Sequence, residues 1–201
     1  MINFDFTNKT ILIVAGSSGI GGELCKQFLN YGARVCIVSN SKKKLSNMIK
    51  KNDKYKSRIM TVRLNLEKKT TIKKINTIFL KIKKRFKANV DILINNSGGP
   101  PLKKIVDLRE SDIFKSLNMN LLNQIYFSIN AIKIMNKMEW GRIINLTSST
   151  AKEPAKNMVL SNIFRAALSS FAKTLSIETA GKGVTVNTIL TGGVATNRLL
   201  D

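Results

Sequence analysis

The chain has 201 residues, 43% apolar with only 3 prolines, so it is long and apolar enough to bury one core and is not disordered. Its formal net charge is +22, from 34 Lys and Arg against 12 Asp and Glu, which points to an anionic partner such as nucleic acid, a membrane surface or an acidic carrier. It has no His and only two Cys without metal-ligand spacing, which removes the commonest general base and leaves no metal site to expect.

The start, "MINFDFTNKT", carries acid and no basic segment ahead of an apolar one, so it does not read as a secretory leader. "TILIVAG" is a continuous β-branched run, the pattern of a buried parallel strand. In "GIGGELCKQFLNYG", Ile20, Leu24 and Phe28 recur four apart on one helix face, and Gly32 closes the helix. "ARVCIVSN" is the next strand, followed by the helix "SKKKLSNMIKK" with Ser41 as its N-cap. "SRIMTVRLN" is a third strand and "EKKTTIKKINTIFLKIKKRF" a third helix. "VDILINN" is a fourth strand, and a long helical region runs from about Ser111 to Met138. "GRIINLTSS" is a fifth strand, "SNIFRAALSSFAKTLSIE" a helix and "GVTVNTIL" a sixth strand. Strands alternating with helices imply right-handed βαβ units in a single α/β domain, residues 1–201, with a doubly wound parallel sheet between two helical layers.

No apolar run approaches the roughly 20 residues of a membrane span. Cys25 and Cys36 read as reduced, packed thiols, and the expected location is cytoplasmic. The bases lie in "SKKKL", "KKNDKYK", "EKKTTIKK" and "KIKKRFK", interleaved with Ile, Leu and Phe at helical spacing. They read as solvated helix faces. Aromatics are only 6% and form no stacking platform, so no specific nucleic-acid binding is expected.

The first strand-to-helix turn is "VAGSSGIGG". Small residues there, Ala15 to Gly21, let backbone N–H groups reach a pyrophosphate at a helix N-terminus. The spacing Gly16, Gly19, Gly21 is not the GxGxxG fingerprint. Further polar pieces fall at the C-terminal ends of later strands, where ligands bind in such sheets: "RLN" with Asn65 and then Leu66, "NNSGGPP" with Asn96, Ser97 and Gly98, "NLTSS" with Ser148, and "TGGVAT" with Gly192, Val194 and Thr196. Asn120 is a polar residue within an apolar helix.

In that order these pieces resemble the short-chain dehydrogenase/reductase family, above all the reductases similar to 3-oxoacyl-acyl-carrier-protein reductase. The resemblance runs from about Lys9 to Arg198. The family's TGxxxGIG turn aligns with Val14 to Gly21, taking in Ala15, Gly16, Ser17, Ser18, Gly19 and Ile20. Its NNAG segment aligns with Asn95 to Gly98, its active-site Asn with Asn120 and its catalytic Ser with Ser148. Its nicotinamide-holding PG segment aligns with Thr191 and Gly192, and a following threonine with Thr196. The resemblance implies a Rossmann-type three-layer fold, here lacking the family's last strand and substrate-covering segment, since the sequence stops at Asp201. It also implies a homo-oligomer if the chain is complete.

Several positions depart from the family. Its first glycine is Ala15, its adenine-side Asp is Asn65, its Pro before the second glycine segment is Thr191, and its Tyr-x-x-x-Lys pair is Ser161 and Arg165. "NNSGGPP" with "SNIFRAAL" resembles an atypical branch that carries the same replacements. Ser161 is too short and too weak an acid to copy a phenol, and a helix N-cap is the alternative reading of it. Arg165, one turn on, keeps a positive charge and donors for ribose hydroxyls but cannot cycle protons. Hydride transfer would then rest on Ser148, on Arg165 as an electrophile, or on a water held by Asn120.

After the second strand no acid is present to bond the 2′-hydroxyl of NAD. Ser39, Asn40, Ser41 and Lys42 to Lys44 suit a 2′-phosphate, so NADP is expected over NAD. The implied activity is hydride transfer between that cofactor and a small-molecule carbonyl, such as a 3-oxoacyl thioester on an acidic carrier or CoA. The competing readings are a catalytically silent dinucleotide sensor or scaffold and, more weakly, a basic nucleic-acid-binding protein.

Overall fold

The computed structural model describes residues 4–196. Six parallel strands form one sheet in the order β3-β2-β1-β4-β5-β6. They are β1 (Thr10–Val14), β2 (Arg34–Ser39), β3 (Ile59–Arg63), β4 (Ile92–Asn95), β5 (Gly141–Leu146) and β6 (Val184–Ile189). Each is one of the six apolar runs of the sequence. Their continuity reflects burial on both faces: every residue of β1 and β4 is buried. Alternate side chains of β1 feed two cores. Leu12 and Val14 join one cluster, with Phe79 and Phe127; Ile11 and Ile13 join the other, with Cys25 and Leu29.

Helices α1 (Gly19–Asn30) and α2 (Lys42–Lys51) cover one face. Helices α3 (Ile72–Phe86), α5 (Asn123–Met138) and α6 (Val159–Glu178) cover the other. In α1 the most buried row is Gly21, Cys25 and Leu29, while Ile20, Leu24 and Phe28 flank it half-buried. The expected face is therefore correct to within one residue. Ser41 caps α2 as expected, its hydroxyl accepting from the Lys44 N–H at 3.2 Å. Gly32 sits beyond the end of α1 at φ +93°, where a Cβ would stand 2.6 Å from Thr7 Oγ1.

Two helical expectations need correction. Helix α3 begins at Ile72, with Thr71 as its N-cap accepting from the Lys74 N–H. The preceding "EKKTT" offers no apolar side chain to seat on the core and stays outside the helix. The region read as one helix from about Ser111 is α4 (Glu110–Leu117), then one π-helical segment at Asn118–Leu122, then α5. Such single π turns arise where one extra residue enters an α-helix, and they recur at functional sites.

The sheet order reverses between β1 and β4, so the loops after these strands diverge and leave a crevice at their C-terminal ends. No described helix is long and apolar enough to cross a membrane, and no metal-binding cluster occurs among the described residues.

Candidate active site

The β1–α1 turn is held by close backbone packing. Ala15 takes φ +51° and Gly19 takes φ +54°, both left-handed. The Gly16 N–H donates to Val38 O at 3.1 Å, and a Cβ on Gly16 would stand 2.7 Å from Ile37 Cγ2. A Cβ on Gly21 would stand 2.7 Å from Ala15 O and 2.9 Å from Asn96 Nδ2. That missing Cβ lets Asn96 Nδ2 donate to Ala15 O at 3.2 Å, tying the β4 loop to the turn. The Ser18 side chain makes no cap bond to α1, so the leading N–H groups of the helix keep their capacity for an anion.

Ser17 and Ser39 share a hydrogen bond of 2.7 Å between their buried hydroxyls, which links the turn to the end of β2. Beyond β3, Asn65 Oδ1 accepts from the Glu67 N–H at 2.9 Å. The π turn grips this loop from the other side: Asn123 Nδ2 donates to Leu66 O at 2.7 Å and to Asn118 O at 2.8 Å, and Asn118 Nδ2 donates to Glu67 O at 3.1 Å.

These loops enclose a cleft of about 390 Å³. Twelve of the expected cofactor residues line it: Ala15, Ser17, Ser18, Gly19, Ile20, Ser39, Asn40, Leu66, Asn96, Ser97, Gly98 and Thr196. Gly16, Gly21, Ser41 and Asn65 do not line it; they shape the turns and the cap behind it. Gly192 and Val194 are exposed beyond β6, outside the cleft. Lys44, expected from the sequence to meet a 2′-phosphate, lines it as well, and so do Glu67, Gly99 and Met119, which were not expected as contacts. Of the lysines at the start of α2, Lys44 is the one that reaches the cleft; Lys42 and Lys43 are exposed and do not line it.

The catalytic end lies beside the cleft. Asn120 is fully buried in the π turn, where its Oδ1 accepts from Ser97 Oγ at 2.9 Å and its Nδ2 donates to Ser116 O at 3.2 Å. Helix α6 packs against the π turn and against the short 3-10 turn Ser149–Ala151 that follows β5. Ser148 caps that turn and is half-buried. Thr191 is tied to it, donating from Oγ1 to Thr147 O at 2.9 Å and accepting from the Ser149 N–H at 3.0 Å. Beneath them Asn95 Nδ2 donates to Ser128 Oγ and to Asn145 Oδ1, both at 2.8 Å, which fixes β4 to β5 and α5.

Ser161 is not the cap of α6, because Met158 holds that position. It is the third residue of the helix, 6% exposed, and its Oγ lies 3.2 Å from Thr150 Oγ1. Arg165 faces the same way, as the four-residue spacing requires, but it too is only 6% exposed. One of its terminal nitrogens donates to Leu146 O at 3.0 Å, at the end of β5. Sequence reasoning missed Thr150, Asn123 and Asn118. Their signal is a contact across the fold, with no motif to announce it.

A nucleotide-sized crevice at the switch point of a doubly wound parallel sheet, with a glycine-rich turn on its floor, defines a dinucleotide-binding α/β protein. Residues 9–199 match the family model for short chain dehydrogenase, and the chain belongs to that family. It is thus an oxidoreductase of the class that acts between a carbonyl and an alcohol. It is 30% identical over 190 residues to the 3-oxoacyl-acyl-carrier-protein reductase FabG of Rickettsia typhi, covering 94% of this chain and 73% of that one. It is 26% identical over 195 residues to the uncharacterized oxidoreductase YvrD of Bacillus subtilis, covering 95% and 70%. Among solved structures it is similar to ElxO with NADP bound, at 27% identity and TM-score 0.87, over 96% of this chain and 76% of that one.

Proposed function

We propose that this chain is an NADP(H)-dependent carbonyl reductase that works without the family's tyrosine. The observation that carries the cofactor preference is Lys44 on the cleft wall beside Ser39 and Asn40, with no acid at the end of β2. A 2′-phosphate there gains a cation and two donors, whereas the ribose of NAD finds no carboxylate at the end of β2 to accept its hydroxyl. The cleft fits such a ligand, since Gly16 and Gly21 leave no room for a Cβ and the turn beneath the α1 N-terminus approaches closely. Ser17, Ser18 and Gly19 would hold the pyrophosphate, Leu66 the adenine side, and Asn96, Ser97, Gly98 and Thr196 the path to the nicotinamide. Arg165 does not line the cleft, and it would reach the nicotinamide ribose only with the charge not engaged by Leu146 O. When bound, the cofactor supplies the hydride.

The chain's own residues orient the carbonyl and stabilise the oxygen as charge develops on it. We assign this role to Ser148, whose hydroxyl is half-buried at the end of β5, and Asn120 fixes Ser97 on the cleft wall. Similarity to FabG, together with a net charge of +22, supports a 3-oxoacyl thioester on an acidic carrier or CoA as the substrate class. Calorimetric titration tests the cofactor half. NADPH is expected to bind more tightly than NADH, and Lys44→Ala to narrow the gap by about tenfold, or ~1.4 kcal/mol. Equal binding of both cofactors by the unaltered chain would overturn the preference.

One observation favours a second reading, a silent dinucleotide sensor. Ser148, Ser161, Asn120 and Arg165 include no group that titrates near neutral pH. Tight NADPH binding with no oxidation of NADPH by any short 3-oxoacyl thioester would support it.

A further inference from the structure

Ser148, Thr150 and Ser161 form a line of three hydroxyls whose proton order is fixed by counting. A hydroxyl offers one proton and two lone pairs. Ser148 Oγ accepts from the Thr150 N–H at 3.3 Å and from the Thr150 hydroxyl at 3.2 Å. With both lone pairs engaged, the Ser148 proton is left to point away from Thr150. No protein acceptor takes it among the described residues. Thr150 has given its single proton to Ser148, so in its 3.2 Å contact with Ser161 it accepts and Ser161 donates. The order is therefore Ser161 to Thr150 to Ser148 to an acceptor outside the protein. Thr150 and Ser161 are each 6% exposed, so little water competes for these bonds.

We propose that Thr150 is the positioning residue that makes Ser148 an outward hydrogen-bond donor for a carbonyl oxygen, with Ser161 feeding the same line. This rests on the reductase reading. Against Ser148 this chain sets a threonine hydroxyl two residues along the same loop. Successive hydroxyls aligned in one direction polarise each other, which strengthens the last donor. The spacings exceed the ~2.7–2.8 Å optimum for paired hydroxyls, so the line is loose at rest, and an acceptor on Ser148 tightens it. No covalent step is asked of Thr150.

Two measurements on the full chain test this. A neutron structure of crystals exchanged into heavy water should show the Ser148 deuteron turned away from Thr150 and the Ser161 deuteron turned toward Thr150 Oγ1. A Ser148 deuteron aimed at Thr150 would overturn the proposal. In NADPH-dependent reduction of acetoacetyl-CoA, Thr150→Val keeps the shape and the backbone N–H but loses the hydroxyl. Its kcat should fall about tenfold, less than the ~10²–10³ lost with a direct oxyanion donor. NADPH affinity and KM should stay unchanged, and Thr150→Ser should restore kcat to within about twofold, since the bond needs only the hydroxyl. Equal kcat in Thr150→Val and Thr150→Ser would reduce Thr150 to a plain turn residue. Absence of turnover in the unaltered chain would strike the reductase reading instead, and the deuteron map would then decide the hydrogen-bond order alone.

Discussion

Ala15 stands at φ +51°, in a left-handed conformation that the family's sequence pattern assigns to glycine. A side chain there costs roughly 1–2 kcal/mol, and a glycine would give back roughly 0.5–1 kcal/mol in chain entropy. Ala15→Gly is therefore expected to stabilise the fold by about 0.5–1 kcal/mol, read from the urea midpoint; a lower midpoint would refute the strain. The departure at position 15 was legible in the sequence, and its backbone consequence was not. Ser161 teaches the same lesson: its identity ruled out a phenol, but only the fold places its hydroxyl against Thr150. The thiols were legible as packed groups. Burial pushes the Cys25 thiol up to about 12, and burial followed by the neighbouring Cys25 pushes Cys36 up as well. Each folded value lies above the unfolded one of about 8.5. The stabilisation from keeping these thiols neutral is thus fully present below about pH 8.5 and is lost as pH rises toward the folded value. Denaturation of the parent chain and Cys25→Ala should show a stability gap that shrinks between about pH 8 and pH 11, because only the parent has this thiol to ionise. A gap that stays constant would show that Cys25 is not held neutral by the fold.

The six strands were readable because strands buried on both faces leave continuous apolar runs, and each run became a strand. The π turn between α4 and α5 was not readable, because nothing in "NMNLL" breaks helical periodicity. What marks it is a set of amides reaching across the fold. Asn123 Nδ2 donates to Leu66 O and Asn118 O, and the residue is 2% exposed. One amide thus holds both the π turn that carries Asn120 and the loop whose Leu66 lines the cleft. Asn123→Ala leaves two carbonyls without this donor, at a cost of about 1–3 kcal/mol each if no water replaces it. The variant is expected to lose about 2–4 kcal/mol in chemical denaturation, to exchange the Leu66 and Glu67 amides faster, and to bind NADPH more weakly. A variant that loses stability yet keeps slow exchange in this loop and full NADPH affinity would show that Asn123 serves the helix alone.

At the scale of the whole molecule the charge has few local partners. The described residues contain two ion pairs, Lys26–Glu23 at 3.9 Å and Lys103–Asp112 at 2.6 Å. The lysines of α2 and α3, read from the sequence as solvated helix faces, are exposed along both helices. This is a field spread over the surface, with no aromatic row to stack bases. Two responses to salt follow, of opposite sign. Self-repulsion among unpaired cations destabilises the compact state, and salt screens it, with a Debye length near 8 Å at about 0.15 M. The melting temperature should therefore rise between about 0.01 M and 0.15 M NaCl, by about 2–4 °C for each ~1 kcal/mol of repulsion removed. Binding to DNA or RNA should fall steeply over a similar range and show no sequence preference, because it depends on phosphate contacts that release counterions. A carrier protein with an acidic surface would lose affinity in the same way, whereas the enclosed part of NADPH binding would be affected less. Fluorescence anisotropy with two unrelated oligonucleotides, run beside thermal melts at matched salt, separates these effects. Sequence-preferring binding that survives about 0.2 M salt would mean a built nucleic-acid surface and would bring the weakest of the three functional readings to the front.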